Sequence, residues 1–149
     1  MDIVPIGYVK NEIRRRKDEA WGKEISDIII DIDLQDGLHG LEDFSHAVII
    51  YHLNQANFKK EDHLQRRPQN RKDMPKVGIF SQRAKNRPNQ IGMTTVEICR
   101  ITDNILTVKG LDAIDGTPIL DIKPYYPQYD CKEDVKVPSW VDKLMEIYF

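Results

Sequence analysis

The sequence predicts a mostly-β fold: a single-domain β-barrel over residues 1–149, with short peripheral helices and a C-terminal helix. Three observations carry that expectation. Six or seven short segments have strand patterning, and only one stretch has clear helical periodicity. With 40% hydrophobic residues in 149, the chain has enough apolar material for one core.

Taken in order, residues 3–9 are short, β-rich and bounded by turn chemistry. Ile28, Ile30, Ile32 and Leu34 alternate with Ile29, Asp31 and Asp33, the period of two expected of a strand with one buried face. A helical turn is expected just before Phe44. Residues 46–53 form a nearly continuous apolar run, as in a strand covered on both faces. Residues 54–76 lack periodicity and carry Pro68, Asn70 and Pro75 among charges, so a long loop is expected. Residues 77–81 read as a short strand. Residues 91–101 and 105–111, joined by Thr-Asp-Asn, read as a hairpin. Residues 119–122 form a last strand, stopped by Pro124. Ser139 is placed to cap a helix, with Asp142 completing a capping box and Val141, Leu144, Met145 and Tyr148 on one face.

The net charge of −2 hides an asymmetry. From Lys59 to Arg87 there are ten Lys and Arg against three Asp and Glu, a local +7, which leaves −9 for the rest. Charge alone leaves open a solvated basic loop and a surface for an anionic partner. Cys99 and Cys131 have no metal or redox spacing and read as free thiols of a reducing compartment. No signal peptide and no bilayer-length apolar run is visible, so a cytoplasmic protein without a membrane partner is expected.

The GxGxxG, P-loop, GxSxG and HExxH patterns are absent. His46 and His52 share a strand face, but among His39, His46, His52 and His63 no metal set is expected. Two segments are too polar and turn-rich for plain structure. In residues 80–93, Arg83 and Arg87 stand between strands, with Pro88 fixing a turn and Gly92 permitting close backbone approach. Such a loop can hold a carboxylate or phosphate in a guanidinium fork, or simply connect strands. In residues 110–125, Asp112, Asp115, Asp121 and Lys123 sit among apolar residues, and Asp115-Gly116-Thr117-Pro118 is a turn signature. Asp121 and Lys123 point to one side of a strand, with Leu120 and Ile122 on the other. They read equally as a surface ion pair or as a site pair whose lysine neutralises a bound group.

Three runs occur in order: Gly37-Leu-His-Gly-Leu-Glu-Asp-Phe-Ser-His46, then the Phe80–Met93 segment with Arg83, Arg87-Pro88-Asn89 and Ile91-Gly92, then Leu111-Asp-Ala-Ile-Asp-Gly-Thr-Pro through Asp121-Ile-Lys-Pro-Tyr125. Together they closely resemble the TsaA/YaeB family, also called TrmO, from about residue 6 to residue 130. The resemblance implies a β-barrel methyltransferase that uses S-adenosylmethionine. It implies methylation of N6 of the threonylcarbamoyl-modified adenosine next to the anticodon of tRNA. It also implies a homodimer with the cofactor close to the subunit interface.

Carried over by motif, Arg83 and Met93, the turn Asp115, Gly116, Thr117 and Pro118, and Asn54 and Gln55 would contact the cofactor. Arg87, Asn89, Asp121, Lys123 and Tyr125 would shape the same pocket. Three departures accompany the match. A family Pro-Arg-Gln tripeptide is replaced by a neighbourhood reading Ala20-Trp21-Gly22-Lys23, which assigns Trp21, Gly22 and Lys23 to the cofactor. Gln90 stands where Pro is usual. Some bacterial members carry an additional C-terminal domain.

S-adenosylmethionine offers a carboxylate for a guanidinium, and an ammonium and sulfonium for carboxylates. An acylated N6–H is acidic enough for a modest base, so Asp115 and Asp121 are the candidates, with Lys123 as the neutralising group. The +7 stretch would meet tRNA phosphates. Two other readings share these residues: methylation of another RNA or of a small molecule, and a noncatalytic module that binds S-adenosylmethionine or RNA.

Overall fold

The strands of the computed structural model, which describes residues 1–15 and 17–149, close into a barrel. In chain order they are β1 (Gly7–Lys10), β2 (Ile25–Ile30), β3 (His46–His52), β4 (Gln65–Arg66), β5 (Val77–Gly78), β6 (Ile91–Thr102), β7 (Ile105–Lys109) and β8 (Pro118–Pro124). The barrel order is β1-β2-β7-β6-β3-β8, and β8 returns to β1 through Gly7↔Ile119 and Tyr8↔Pro118. Every pairing is antiparallel, and β4 and β5 form a separate two-stranded ribbon. Closure leaves no unpaired sheet edge in the barrel.

Alternation sends Val9, Ile28, Ile30, Ala47, Ile49, Tyr51, Val96, Leu106, Val108 and Ile119 into one buried core. Strand β3 lies between β6 and β8, and the apolar run across its middle is largely buried. Strand β6 is long and bends at a bulge between Ile98 and Arg100, so its first half pairs with β3 and its second with β7. The β6–β7 hairpin turns through Asp103 and Asn104, with Asp103 at φ 53°, as a two-residue hairpin demands.

The structure corrects several boundaries. Residues 3–6 precede the first strand, because ladder pairing with β2 starts at Gly7. The alternation of residues 28–34 outlasts its strand: β2 ends at Ile30, and Ile32 and Leu34, in a 3-10 segment (Ile32–Leu38), are 66% and 46% exposed. Residues 54–76 are not structureless, since helix α1 (Lys60–His63), β4 and a 3-10 turn (Pro68–Asn70) occupy them. Residues 77–81 are a two-residue strand running into a 3-10 turn, and the turn before Phe44 is 3-10 (Leu41–Asp43). After the short helix α2 (Pro127–Asp130) comes α3 (Ser139–Met145), but no capping box forms. Pro138, in extended conformation, takes the N-cap position and puts Ser139 inside the first turn.

One close approach ties the core to the loops. A Cβ at Gly92 would lie 2.3 Å from the Tyr51 ring, which is buried and hydrogen-bonded at its hydroxyl. Gly92→Ala should therefore destabilise the fold by about 1–3 kcal/mol through overpacking. Denaturant unfolding measures it, and wild-type stability would show that the ring moves freely.

Candidate active site

Antiparallel closure sorts the connections between strands to two ends. The ends of β1, β3 and β7 and the starts of β2, β6 and β8 share one mouth. The connections there are residues 11–24, 53–90 and 110–117. They contain Trp21–Lys23, Asn54 and Gln55, Arg83 to Asn89, and Asp115–Thr117. Residues 31–45 and the Asp103–Asn104 turn close the other end.

At the first mouth one carboxylate gathers three hydroxyls. Oδ1 of Asp112 accepts from the Tyr51 hydroxyl at 2.6 Å and from Thr94 Oγ1, and Oδ2 accepts from the Tyr148 hydroxyl at 2.8 Å. Tyr51 and Thr94 are buried, on β3 and β6. Burial and the Asp112 charge push both tyrosine phenols far above their ordinary range, while the Arg83 guanidinium acts on Tyr148 in the opposite sense. Arg83 is exposed and spends one donor, at 2.6 Å, on the Met93 carbonyl. A guanidinium and a carboxylate are thus anchored on adjacent residues of β6, Met93 and Thr94, an arrangement suited to a zwitterionic ligand.

The other predicted residues divide between contact and support. Met93 is 50% exposed on β6 beside this cluster. Asn54 and Gln55 are exposed in the turn after β3, a turn held by Gln90 Nε2 on Ala56 O at 3.0 Å and by Leu53 N on Gln90 O at 2.8 Å. Asp115 accepts from the Asn11 amide at 3.0 Å and pairs with Arg14. Gly116, at φ 77°, faces open space, and its N–H bonds Val9 O at 2.8 Å. Thr117 is buried with its hydroxyl on Ile114 O, so this turn also fastens the β8–β1 seam; Pro118 opens β8. Trp21 is 3% exposed, with its indole N–H on Lys17 O at 3.1 Å, and packs inward; Lys23 is exposed and Gly22 abuts Phe149. Arg87 binds the Ile79 and Gln82 carbonyls and shapes the loop from inside. Asn89 lines a cavity of about 200 Å³ with Phe80, Pro88 and Ile91 at this mouth.

Asp121 and Lys123 lie elsewhere. They form an exposed 2.6 Å ion pair on the outer wall, where Ile50 stands between Met93 and Asp121 in register. Leu120 is bulged out of the pairing, and Ile122 packs on the core. Tyr125 bonds the His46 carbonyl beyond the end of β8. The Gly37–His46 run plugs the far end with Leu38, Leu41 and Phe44. A mainly apolar cavity of about 390 Å³ opens there and is touched by Asp121, but among the described residues no lysine or arginine lines it.

Sequence reasoning missed Asp112 as a site residue, and missed Tyr148 and Arg14. The signal for Asp112 was its place between Leu111 and Ala113, where a carboxylate in an apolar run needs partners. Among the described residues no set of His, Cys, Asp or Glu is arranged to hold a metal ion, and no helix is long and apolar enough to cross a membrane.

Comparison with known proteins agrees with the barrel fold. Residues 12–131 match the family described as the tRNA-methyltransferase O N-terminal domain. A probable S-adenosyl-L-methionine-binding protein of Pyrococcus abyssi is 36% identical over 144 residues, covering 93% of this chain and 75% of its own length. The tRNA (adenine(37)-N6)-methyltransferase of Mus musculus is 38% identical over 110 residues, 72% of this chain and 24% of the mouse protein. The crystal structure of TrmO from Pseudomonas aeruginosa superposes with a TM-score of 0.76 at 26% identity, over 94% of this chain and 61% of that one. This chain therefore spans three quarters of the archaeal relative but smaller shares of the mouse and Pseudomonas proteins. With a closed six-stranded barrel and the family match over residues 12–131, the chain belongs to the tRNA-methyltransferase O N-terminal domain family.

Proposed function

We propose that this protein is an S-adenosylmethionine-dependent methyltransferase acting on tRNA, at N6 of the threonylcarbamoyl-modified adenosine next to the anticodon. The observation that carries the reading is the anchoring of Arg83 and Asp112 on the adjacent β6 residues Met93 and Thr94 at the mouth of the barrel. An α-amino acid end needs one fork for its carboxylate and one carboxylate for its ammonium. Arg83 has donors beyond the one given to Met93, and Asp112 is only half-buried. The names of the archaeal and mammalian relatives point the same way.

When bound, S-adenosylmethionine supplies a methyl group on a sulfonium centre, open to a nucleophile approaching in line. Arg83 receives the carboxylate of the amino-acid arm, and Asp112 its ammonium. Asn54 and Gln55 offer exposed amides, and Gly116 an accessible peptide, to the nucleoside. Asp115, at the same mouth, is the proposed acceptor of the N6 proton, with Arg14 and Asn11 fixing it. Holding reactants in line supplies most of the acceleration, so rigid support by Arg87 and Thr117 matters as much as contact.

The basic segment around α1 and β4 is the proposed phosphate-binding surface, with exposed Lys59, Lys60, Lys72 and Lys76. A homodimer is proposed through the outer wall of β3, β6 and β8, where Ile91 (41% exposed) and Met93 are the apolar support. That wall carries Asp121 and Lys123 toward the second copy. A cytoplasmic location is proposed with the tRNA acceptor.

Calorimetric titration with S-adenosylmethionine tests the cofactor. Saturable binding is expected, weakened about ten- to a hundredfold in Arg83→Ala, which loses charge-assisted hydrogen bonds. Equal affinity in the variant would remove Arg83 from the site. For the acceptor, charge reversal at Lys72 and Lys76 should weaken tRNA binding and lower its log–log salt slope by about one unit per lost phosphate contact. Absence of tRNA binding at low salt would move the acceptor to a small molecule.

A further inference from the structure

We propose that Tyr148 is a positioning residue of the cofactor site, one that orients the Asp112 carboxylate toward the ammonium of an amino-acid arm and so selects ligands bearing that arm. The proposal rests on the cofactor reading above and concerns a segment outside residues 12–131, the stretch matched to the family.

The tail carrying Tyr148 is fastened at several points. Ala20 N–H donates to Ile147 O and Trp21 N–H to Tyr148 O, both at 2.9 Å. Ala20 takes a left-handed conformation, φ 55°, at this contact. Gly22 faces the Phe149 backbone so closely that a Cβ would lie 2.9 Å from its carbonyl carbon. Upstream, Lys143 of α3 pairs with Asp73 at 2.8 Å, and Asp73 is also held by Arg71. A segment held this way brings its one phenol back to the mouth opposite the end where β8 finishes.

The two oxygens of Asp112 have different support. Oδ1 is held from inside the barrel by Tyr51 and Thr94, whereas the hydrogen bond described for Oδ2 comes from Tyr148. Without that hydroxyl the carboxylate keeps one anchored oxygen and can swing about it. Tyr148 thus holds the free edge of the carboxylate that the ammonium of a zwitterionic arm must meet, while Arg83 is anchored one residue from Thr94, which holds the other oxygen. A nucleoside without that arm makes no demand on this carboxylate.

The test compares Tyr148→Phe, which keeps the ring, with wild type. The probes are S-adenosylhomocysteine and methylthioadenosine, the latter being the nucleoside without the amino-acid arm. Calorimetry should show S-adenosylhomocysteine weakened about tenfold in the variant, from loss of one hydrogen bond to a charged group, with methylthioadenosine unchanged. Equal loss for both ligands would mean a merely structural role, and no loss for either would mean no role; both overturn the proposal. Wild type that binds neither ligand would overturn the cofactor reading itself, and this role with it. A second readout needs no ligand. The folded phenol keeps its proton to higher pH than the unfolded chain's, so its contribution to stability is whole below about pH 10 and is lost above it. Tyr148→Phe should flatten that alkaline limb of unfolding, and an unchanged limb would contradict the contact with Asp112.

Discussion

A carboxylate set half-buried at the mouth of a closed barrel has to be surrounded by donors, and meeting that need for Asp112 organises much of the molecule. Each hydrogen bond to a charged group is worth about 1.5–3 kcal/mol, and an unmet one costs a similar amount. The donors come from three places distant in sequence: Tyr51 of β3, Thr94 of β6 and Tyr148 of the tail. The Tyr51 ring can lie where it does only because residue 92 has no side chain. The next residue on that strand gives the carbonyl that anchors Arg83. One buried polar requirement therefore fixes a core ring, a glycine, a strand start and a guanidinium together.

The two ends of the barrel are built for different work. The far end is stoppered by the Gly37–His46 run, whose leucines and Phe44 join the core. Its backbone is satisfied by 3-10 turns and a two-residue hairpin. The other mouth receives three longer connections that would be a liability for a purely structural barrel. There the polar side chains of Arg87, Gln82 and Asp115 bond backbone groups and give irregular chain a defined shape. Sites that hold small ligands through a few fixed polar groups need that rigidity in their supports.

Much of this was legible in the sequence where periodicity was long enough to read. The central strand β3 and the β6–β7 hairpin follow from their apolar runs and a turn that tolerates positive φ. The alternation through Ile32 and Leu34 misled because the pattern continues after the ladder has lost its partner. Residues 54–76 read as loop because their elements are two to four residues long, too short to show a period. Arg83 and Met93, named together from the motif, are joined at the mouth by a hydrogen bond from the guanidinium to the Met93 carbonyl. Asp121 and Lys123 were rightly paired with each other, but strand periodicity cannot say whether a face lines a pocket or an outer wall. Asp112 was named but not assigned to the site, as one of three aspartates in residues 110–125, because only the fold shows which one turns toward Tyr51. Tyr148 was assigned to the apolar face of a helix; α3 ends before it, which frees its hydroxyl to reach back across the mouth.

The claim on which everything else depends is that ligand binds at the mouth built from residues 53–56, 83–93 and 110–118, and not at the larger apolar cavity beside Leu38 and Phe44. Hydrogen exchange of the full chain, with and without saturating S-adenosylmethionine, tests it most directly. Slowed exchange in those three segments and in residues 146–149, with residues 34–44 unchanged, is the expected result. Protection centred on residues 34–44, with the mouth segments unaffected, would contradict it.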